Sequence, residues 1–177
     1  MKKIAAIFLL AIFSSFAFSQ TKQTVTKSAI TFEIKNLGIN TGGSFGGLKA
    51  DIKFDPAHLD ASSIEASVDT KTINTDNDTR DSHLRSDSYF DADKYPQIRM
   101  KSVSFKHKSG DNYSGTFTLT IKDKTNQAEV PFSYTEAGNA AAFKGSLKIK
   151  RTDYGVGSKS MVMSNDVTVT IDIATNK

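Results

Sequence analysis

The chain of 177 residues contains no cysteine. Without cysteine it forms no disulfide bonds, so the hydrophobic core alone must hold its fold. The same absence excludes a bacterial lipoprotein, in which a cysteine after the leader segment accepts the lipid. It also removes the thiolate ligands that many zinc sites use. The composition therefore predicts a domain whose stability comes from apolar burial.

The residue patterns of metal and hydrolytic chemistry are scarce as well. His58, His83 and His107 lie on three separate segments and form no HxH or HxxxH pair, the kind of spacing that a zinc site needs. No Ser-His-Asp order is marked by its flanking residues. We therefore predict no metal site, no catalytic residues and no catalytic cofactor, and we interpret the protein as a non-enzyme.

Residues 76–96 lack strand alternation and are rich in acids. Asp76, Asp78 and Asp87 occupy the first, third and twelfth positions of a calcium-binding loop, but Asp81 stands where such a loop requires glycine. The same residues suit a short helix with a polar N-cap, acids in its first turn and Leu84 directed toward the core. We therefore predict a short helical insert without a metal ion.

Residues 1–19 have the pattern of a secretory signal peptide. Lys2 and Lys3 precede an apolar run over residues 4–13, and Ala17-Phe18-Ser19 suits the cleaving peptidase. We predict a signal peptide at 1–19, one domain at 20–177 and a periplasmic or secreted protein with no stable membrane span after cleavage. Cleavage lowers the net charge from +4 to +2, because 21 Lys and Arg then oppose 19 Asp and Glu. This balance argues against a nucleic-acid partner.

About eight segments alternate apolar and polar residues with period two, and residues 113–121 show the alternation most clearly. Such patterning indicates strands with one apolar face. Short turns join most of the segments, which is typical of an antiparallel sandwich or an up-and-down barrel. We predict an all-β fold, a single antiparallel eight-stranded barrel with the helical insert at residues 76–96. A change of parity near Ser102 predicts a β-bulge there.

The inward positions of these strands carry many Phe, Ile and Leu residues and few charges. A barrel of eight strands encloses a space that side chains can fill or that holds one small ligand. The pattern fits both a filled core and an apolar cavity. For the cavity, the alternation predicts twelve wall residues: Phe32, Ile34, Phe45, Leu48, Ile98, Met100, Phe117, Leu119, Ile121, Phe132, Phe143 and Leu147.

Several runs follow one another along the chain: residues 43–48, Phe54-Asp55-Pro56, Ile73-Asn74-Thr75, Arg80-Asp81-Ser82-His83-Leu84, Tyr89-Phe90-Asp91, Lys94-Tyr95-Pro96-Gln97-Ile98, Gly115-Thr116-Phe117-Thr118-Leu119 and Ile149-Lys150-Arg151-Thr152-Asp153-Tyr154-Gly155. In this order they resemble the YceI-like family of polyisoprenoid-binding proteins. Two segments depart from the family: residues 35–38 lack a His found in many relatives, and the turn at residues 122–125 lacks a Gly.

The resemblance implies a lipocalin-like antiparallel barrel that is secreted to the periplasm. Its lumen would hold one long amphiphilic lipid, such as a polyprenyl chain or an isoprenoid quinone, for transport or storage. The family has no established catalytic residues, so none are assigned here. The motif residues carry a structural expectation instead: Arg80, Asp81, His83, Leu84, Phe90, Tyr95, Pro96, Arg151, Asp153 and Gly155.

Two other functions stay open at the level of the sequence. One is a non-catalytic, stress-related interaction module whose interior is packed solid. The other is an enzyme that acts on the head group of an isoprenoid or another lipid, with Asp81 and His83 as its acid and base. The sequence does not decide whether the chain forms a homodimer.

Overall fold

The computed structural model describes residues 21–177, so the predicted signal peptide lies outside the described residues. Helix α1 (Asp78–Arg85) is the one α-helix among them, and 3₁₀ turns occupy Thr70–Thr72 and Arg151–Tyr154. Over the same residues, no helix has the length and apolar character needed to cross a membrane. The strands are β1 (Thr24–Asn36), β2 (Ile39–Phe45), β3 (Lys49–Lys53), β4 (Ser63–Asp69), β5 (Gln97–Ser109), β6 (Asn112–Ile121), β7 (Lys124–Ala137), β8 (Ala140–Lys150) and β9 (Met163–Asn176).

The nine strands form one antiparallel sheet in the order β2-β1-β9-β8-β7-β6-β5-β4-β3. Strands β2 and β3 are therefore the two edges, although only three residues separate them in the chain. The sheet curls, and two isolated bridges close it: Gln23, just before β1, pairs with Ile52 of β3, and Ser44 of β2 pairs with Asn74, which follows the first 3₁₀ turn. The all-β, antiparallel, barrel-like architecture with a helical insert confirms the predicted fold class.

The strand count is nine instead of the predicted eight because β2 lacks the period-two alternation from which the strands were predicted. Its sequence, INTGGSF, has two glycines and little apolar alternation. A tight hairpin produces the strand nevertheless, since Asn36 pairs with Ile39 across a two-residue loop. Leu37 and Gly38 both have positive φ, 51° and 78°, as the favoured type I′ hairpin turn requires.

Strand β5 contains the predicted bulge. Ser102 pairs with Phe117 and Ser104 pairs with Thr116, so Val103 is the extra, unpaired residue. The shift turns Phe105 into the core, where it is 8% exposed, while Val103 is 57% exposed. Val103 and Phe105 have the same parity in the sequence, but a bulged residue leaves the ladder, so only Phe105 lies in the core.

One end of the curled sheet is filled by aromatic side chains. The ring of Phe54, which is 4% exposed, lies at centroid distances of 4.8 to 5.6 Å from five others: Phe105, Tyr113, Phe132, Tyr134 and Phe143. Edge-to-face pairs of this kind contribute about 0.5–1.5 kcal/mol each beyond their buried area. The buried Gln23 adds a polar clamp, donating its amide to the Phe54 carbonyl at 3.1 Å. This end is therefore closed.

Candidate functional site

The curled sheet encloses an apolar cavity of about 280 Å³ to which all nine strands contribute. Every one of the twelve residues predicted from alternation lines this cavity: Phe32, Ile34, Phe45, Leu48, Ile98, Met100, Phe117, Leu119, Ile121, Phe132, Phe143 and Leu147. The structure thus brings the whole predicted set together. That these side chains contact a ligand stays a prediction.

The two halves of the wall differ in their burial. Phe117 and Leu119 of β6 are 4% and 5% exposed, as in an ordinary core. Phe32 of β1 and Met100 of β5 line the same cavity but are only half-buried. Close packing would bury inward side chains on both sides, so the surface left on the second half of the wall belongs to the cavity. The interior is therefore not filled.

Small side chains account for the empty space. Ala50 of β3 and Ala66 of β4 are direct cross-strand partners, Ala66 also pairs with Met100, and Gly145 of β8 is a further wall position. The sequence interpretation did not use them as a signal, although small residues at inward strand positions indicate unfilled volume. It also left out apolar wall residues with the same alternation: Ile30, Ile52, Ile64, Val68, Val130, Ile149, Val167, Val169, Ile171 and Ile173.

Helix α1 and the residues that follow it pack over the cavity. Leu84, Tyr89 and Phe90 all line it, and the Phe90 ring meets the Phe45 ring edge-on at a centroid distance of 5.5 Å. The insert is fixed from outside as well, because the amide of Gly157 donates to the Ser88 carbonyl at 3.1 Å. The insert is thus part of the cavity wall.

The last residues of the insert anchor it to the sheet. The Pro96 carbonyl accepts a hydrogen bond from the Thr70 amide at 2.9 Å. Tyr95 is half-buried, and the Lys94 ammonium lies 5.2 Å from the centroid of its ring, a cation–π contact. Neither Tyr95 nor Pro96 lines the cavity, so these two motif residues position the insert.

A polar network orders the start of the insert. The Asn77 side chain caps α1 by accepting from the Arg80 amide at 2.9 Å. Asp81, 4% exposed, accepts at Oδ1 from the amide and the hydroxyl of Thr75. Arg80 donates from Nε to the Thr75 hydroxyl at 2.7 Å and from Nη2 to the Thr75 carbonyl at 2.5 Å. Arg80 and Asp81 are therefore joined through Thr75, while the exposed His83 lies outside this network.

Arg151 is a second ordered arginine on the cavity wall. It is 4% exposed and donates to the carbonyls of Ser164 and Val156, both at 2.9 Å. Its Nη2 is buried and has no hydrogen-bond partner among the described residues. Gly155, with φ of 67°, ends the 3₁₀ turn in the left-handed conformation, and Asp153 is exposed. These motif residues fix the loop before β9.

A polar cleft adjoins the cavity on the outside of the insert. It is lined by Asn40, Gly42, Gly43, Ser44, Asn74 and Asp76, and it shares Thr31, Thr41, Thr75 and Arg80 with the cavity wall. The four shared residues mark the boundary between an apolar interior and a polar surface. A site with this polarity suits an amphiphilic molecule.

The described residues offer little to metal or hydrolytic chemistry. Residues 21–177 hold no cluster of three or more His, Asp or Glu side chains able to bind a metal ion. The string GGSFG at residues 42–46 has the GxSxG spacing of a nucleophile elbow. Ser44 lies within strand β2, paired with Thr31 and bridged to Asn74. It therefore does not occupy the strand-to-helix turn that makes such a serine a nucleophile.

A buried tyrosine, Tyr134, lies at the closed end, away from the cavity wall. Burial raises the pKa of Tyr134, and the hydrogen bond that its hydroxyl donates to Glu136 raises it further. Tyr134 also accepts from the Gln23 amide at 3.3 Å. Its neutral hydroxyl is thus part of the clamp around Phe54, which is a structural role.

Relatives of known sequence match most of this chain. In sequence, the chain is 28% identical to a UPF0312 protein of Vibrio cholerae over 167 residues, covering 88% of both chains. It is also 28% identical to a UPF0312 protein of Yersinia pestis over 151 residues, covering 81% of this chain and 78% of the relative.

Solved structures share the fold. BcnA of Burkholderia cenocepacia superimposes with a TM-score of 0.80 at 26% identity, over 83% of this chain and 95% of that one. The Campylobacter jejuni YCEI protein gives 0.71 at 21% identity, over 98% and 99%. A polyisoprenoid binding domain from Saccharophagus degradans gives 0.68 at 16% identity, over 88% and 97%. The profile of the YceI-like domain matches residues 22–175, and the chain therefore belongs to the YceI-like family.

Proposed function

We propose that this protein binds one amphiphilic lipid of the isoprenoid type and holds its apolar tail in the cavity, for transport or storage. The observation that carries the proposal is the unfilled apolar cavity of about 280 Å³. The solved domain from Saccharophagus degradans, described as polyisoprenoid binding, supports the choice of ligand class. The fold, the apolar lining of the cavity and the ligand class of that solved domain all favour binding over catalysis.

The physical character of the cavity favours an apolar occupant. A buried water needs about two to four polar partners, and cavities without them stay dry. Each CH₂ group transferred from water into such a site contributes about 0.8 kcal/mol before ordering costs. The volume of about 280 Å³ lies near the lower limit of ligand pockets, about 300–1,000 Å³. The cavity therefore suits a single chain.

Cavity-filling substitution tests the proposal. The protein is purified from cells, extracted with organic solvent and examined by mass spectrometry. We expect the wild type to release an isoprenoid lipid and Ala66→Phe to release little, because the ring would occupy the space left by the cross-strand alanines. Glu65→Phe is the matched control, since it adds a similar ring at the neighbouring, exposed position. A wild type that carries no lipid, or an Ala66→Phe variant that carries as much, contradicts the proposal.

The alternative enzyme on a lipid head group has no observation in its favour. The buried Asp81 carboxylate is engaged by both donors of Thr75, whereas His83 is exposed on α1. The filled interaction module is opposed by the cavity itself.

The proposed location is the periplasm or the cell exterior. Its test is the mass of the protein recovered from a periplasmic extract, which should correspond to a chain that begins at Gln20.

A further inference from the structure

The polar cleft beside the cavity contains Arg80, a cation that forms no ion pair within residues 21–177. We infer that this cleft binds the head group of the amphiphile and that Arg80 binds an anionic oxygen of it, from a phosphate or a carboxylate. The inference rests on the proposed function, because it assigns the polar end of a ligand whose tail lies in the cavity. Thr31, Thr41, Thr75 and Arg80 line both spaces, so a ligand passing from one to the other contacts them.

Arg80 has binding capacity left over. Its Nε and Nη2 donate to Thr75, while Nη1 makes no hydrogen bond within the described part of the chain. No carboxylate among residues 21–177 lies at ion-pair distance from it. A guanidinium is always charged, and its planar donors match phosphate and carboxylate oxygens. The free donor of Arg80 is thus suited to an oxyanion.

The cation is also held in position before any ligand arrives. Thr75, which is 6% exposed, is fixed by two hydrogen bonds to Asp81, and Thr75 in turn holds two nitrogens of Arg80. Binding to a side chain that is already ordered avoids the loss of rotamer entropy that weakens most surface contacts. The Thr75–Asp81 pair therefore orders Arg80 for ligand binding in addition to fixing the insert.

Arg151 is less suited to this role. It lines the same cavity, but it is 4% exposed and two of its nitrogens are bonded to the carbonyls of Val156 and Ser164. Its remaining nitrogen has almost no accessible surface. A head group would have to displace the wall to reach it, whereas the cleft at Arg80 opens to solvent.

Asp76 provides an internal control for the charge argument. It lines the cleft, so its carboxylate opposes an anion there. Its backbone has φ of 57°, a conformation that asparagine tolerates as well as aspartate does. Asp76→Asn therefore removes one negative charge with little change in shape. Arg80→Gln removes one positive charge from the same cleft, and the two variants should act in opposite directions.

The test compares three probes with one tail: farnesyl phosphate, farnesoic acid and farnesol, titrated into the full chain at low salt. We expect the wild type to bind both anions about tenfold more tightly than farnesol. Arg80→Gln should reduce that ratio to about one, because the lost charge weakens binding of the two anions far more than binding of the uncharged farnesol. Asp76→Asn should strengthen anion binding by about two- to fivefold. Rising salt should weaken the anions only.

The outcomes separate the two levels of the proposal. If the wild type binds farnesol and the anions equally, or if Arg80→Gln keeps the preference, the head-group inference is overturned while lipid binding stands. If none of the three probes binds, both are overturned. If Arg80→Gln fails to fold, the anion affinity of Asp76→Asn and the salt dependence of the wild type test the inference. Anion affinity that changes neither in Asp76→Asn nor with rising salt contradicts it.

Discussion

Replacing Thr75 by valine changes one hydroxyl group into a methyl group inside the network that orders the insert. The hydroxyl accepts from Arg80 Nε at 2.7 Å and donates to Asp81 Oδ1, and Asp81 is 4% exposed. Hydrogen bonds to charged groups contribute about 1.5–3 kcal/mol each. In the valine variant, water takes the place of the hydroxyl at the exposed Arg80 but not at the buried Asp81. The loss of stability therefore comes mainly from the missing hydrogen bond to Asp81. We expect the free energy of unfolding to fall by about 2–3 kcal/mol.

Urea unfolding followed by circular dichroism measures this change, and dichroism suits a chain that has no tryptophan. Thr75→Ser is the matched control because it keeps the hydroxyl and removes only a methyl group, with an expected loss of about 1 kcal/mol. The order of stability should be wild type, serine variant, valine variant. A valine variant as stable as the serine variant would refute the reasoning, since the network would then contribute nothing.

Two further predictions concern a glycine and a carboxylate elsewhere. Gly43→Ala should lower the stability of the protein in thermal unfolding by about 1–3 kcal/mol, because the added Cβ would lie 2.5 Å from Phe32 Cζ. Gly46→Ala is the control, since its Cβ meets nothing closer than 3.6 Å. Equal losses of stability in the two variants would contradict the prediction. The hydrogen bond from His58 and one from a backbone amide lower the pKa of Asp55. This lowered pKa stabilises the fold when the pH is above about 4, the ordinary pKa of an aspartate. The stabilisation is lost as the pH falls through the pKa that Asp55 has in the folded protein. The free energy of unfolding of Asp55→Asn should therefore fall less than that of the wild type between about pH 5 and pH 2. An acid transition equal to that of the wild type would contradict this prediction.

The sequence predicts the direction of a strand side chain better than the distance between opposite walls of the barrel. Period-two alternation tells which way a strand side chain points, and every predicted wall residue, from Phe32 to Leu147, lines the cavity. It does not report how far the opposite wall lies. The choice between a filled core and a cavity therefore needed the structure, in which Ala50 and Ala66 face each other across β3 and β4.

Features set by tertiary contacts were missed for the same reason. Strand β2 owes its conformation to its partner β1 and to the hairpin at Leu37, not to its own residues. The run Ile73-Asn74-Thr75 carried part of the family resemblance but assigned Thr75 no role, because its hydroxyl acquires a function only between Arg80 and Asp81. The motif that contains those two residues drew attention to the right segment without showing which atom joins them.

The pairing of the first strand with the last has a consequence for the order of folding. In the sheet, β1 lies between β2 and β9, and Ile30 pairs with Ile171. While the chain is being synthesised, the hairpin of β1 and β2 has no other strand to join until the final residues arrive. Loop-closure entropy makes such distant pairing slow. The barrel and its cavity are therefore complete only after the last residues of the chain have joined the sheet.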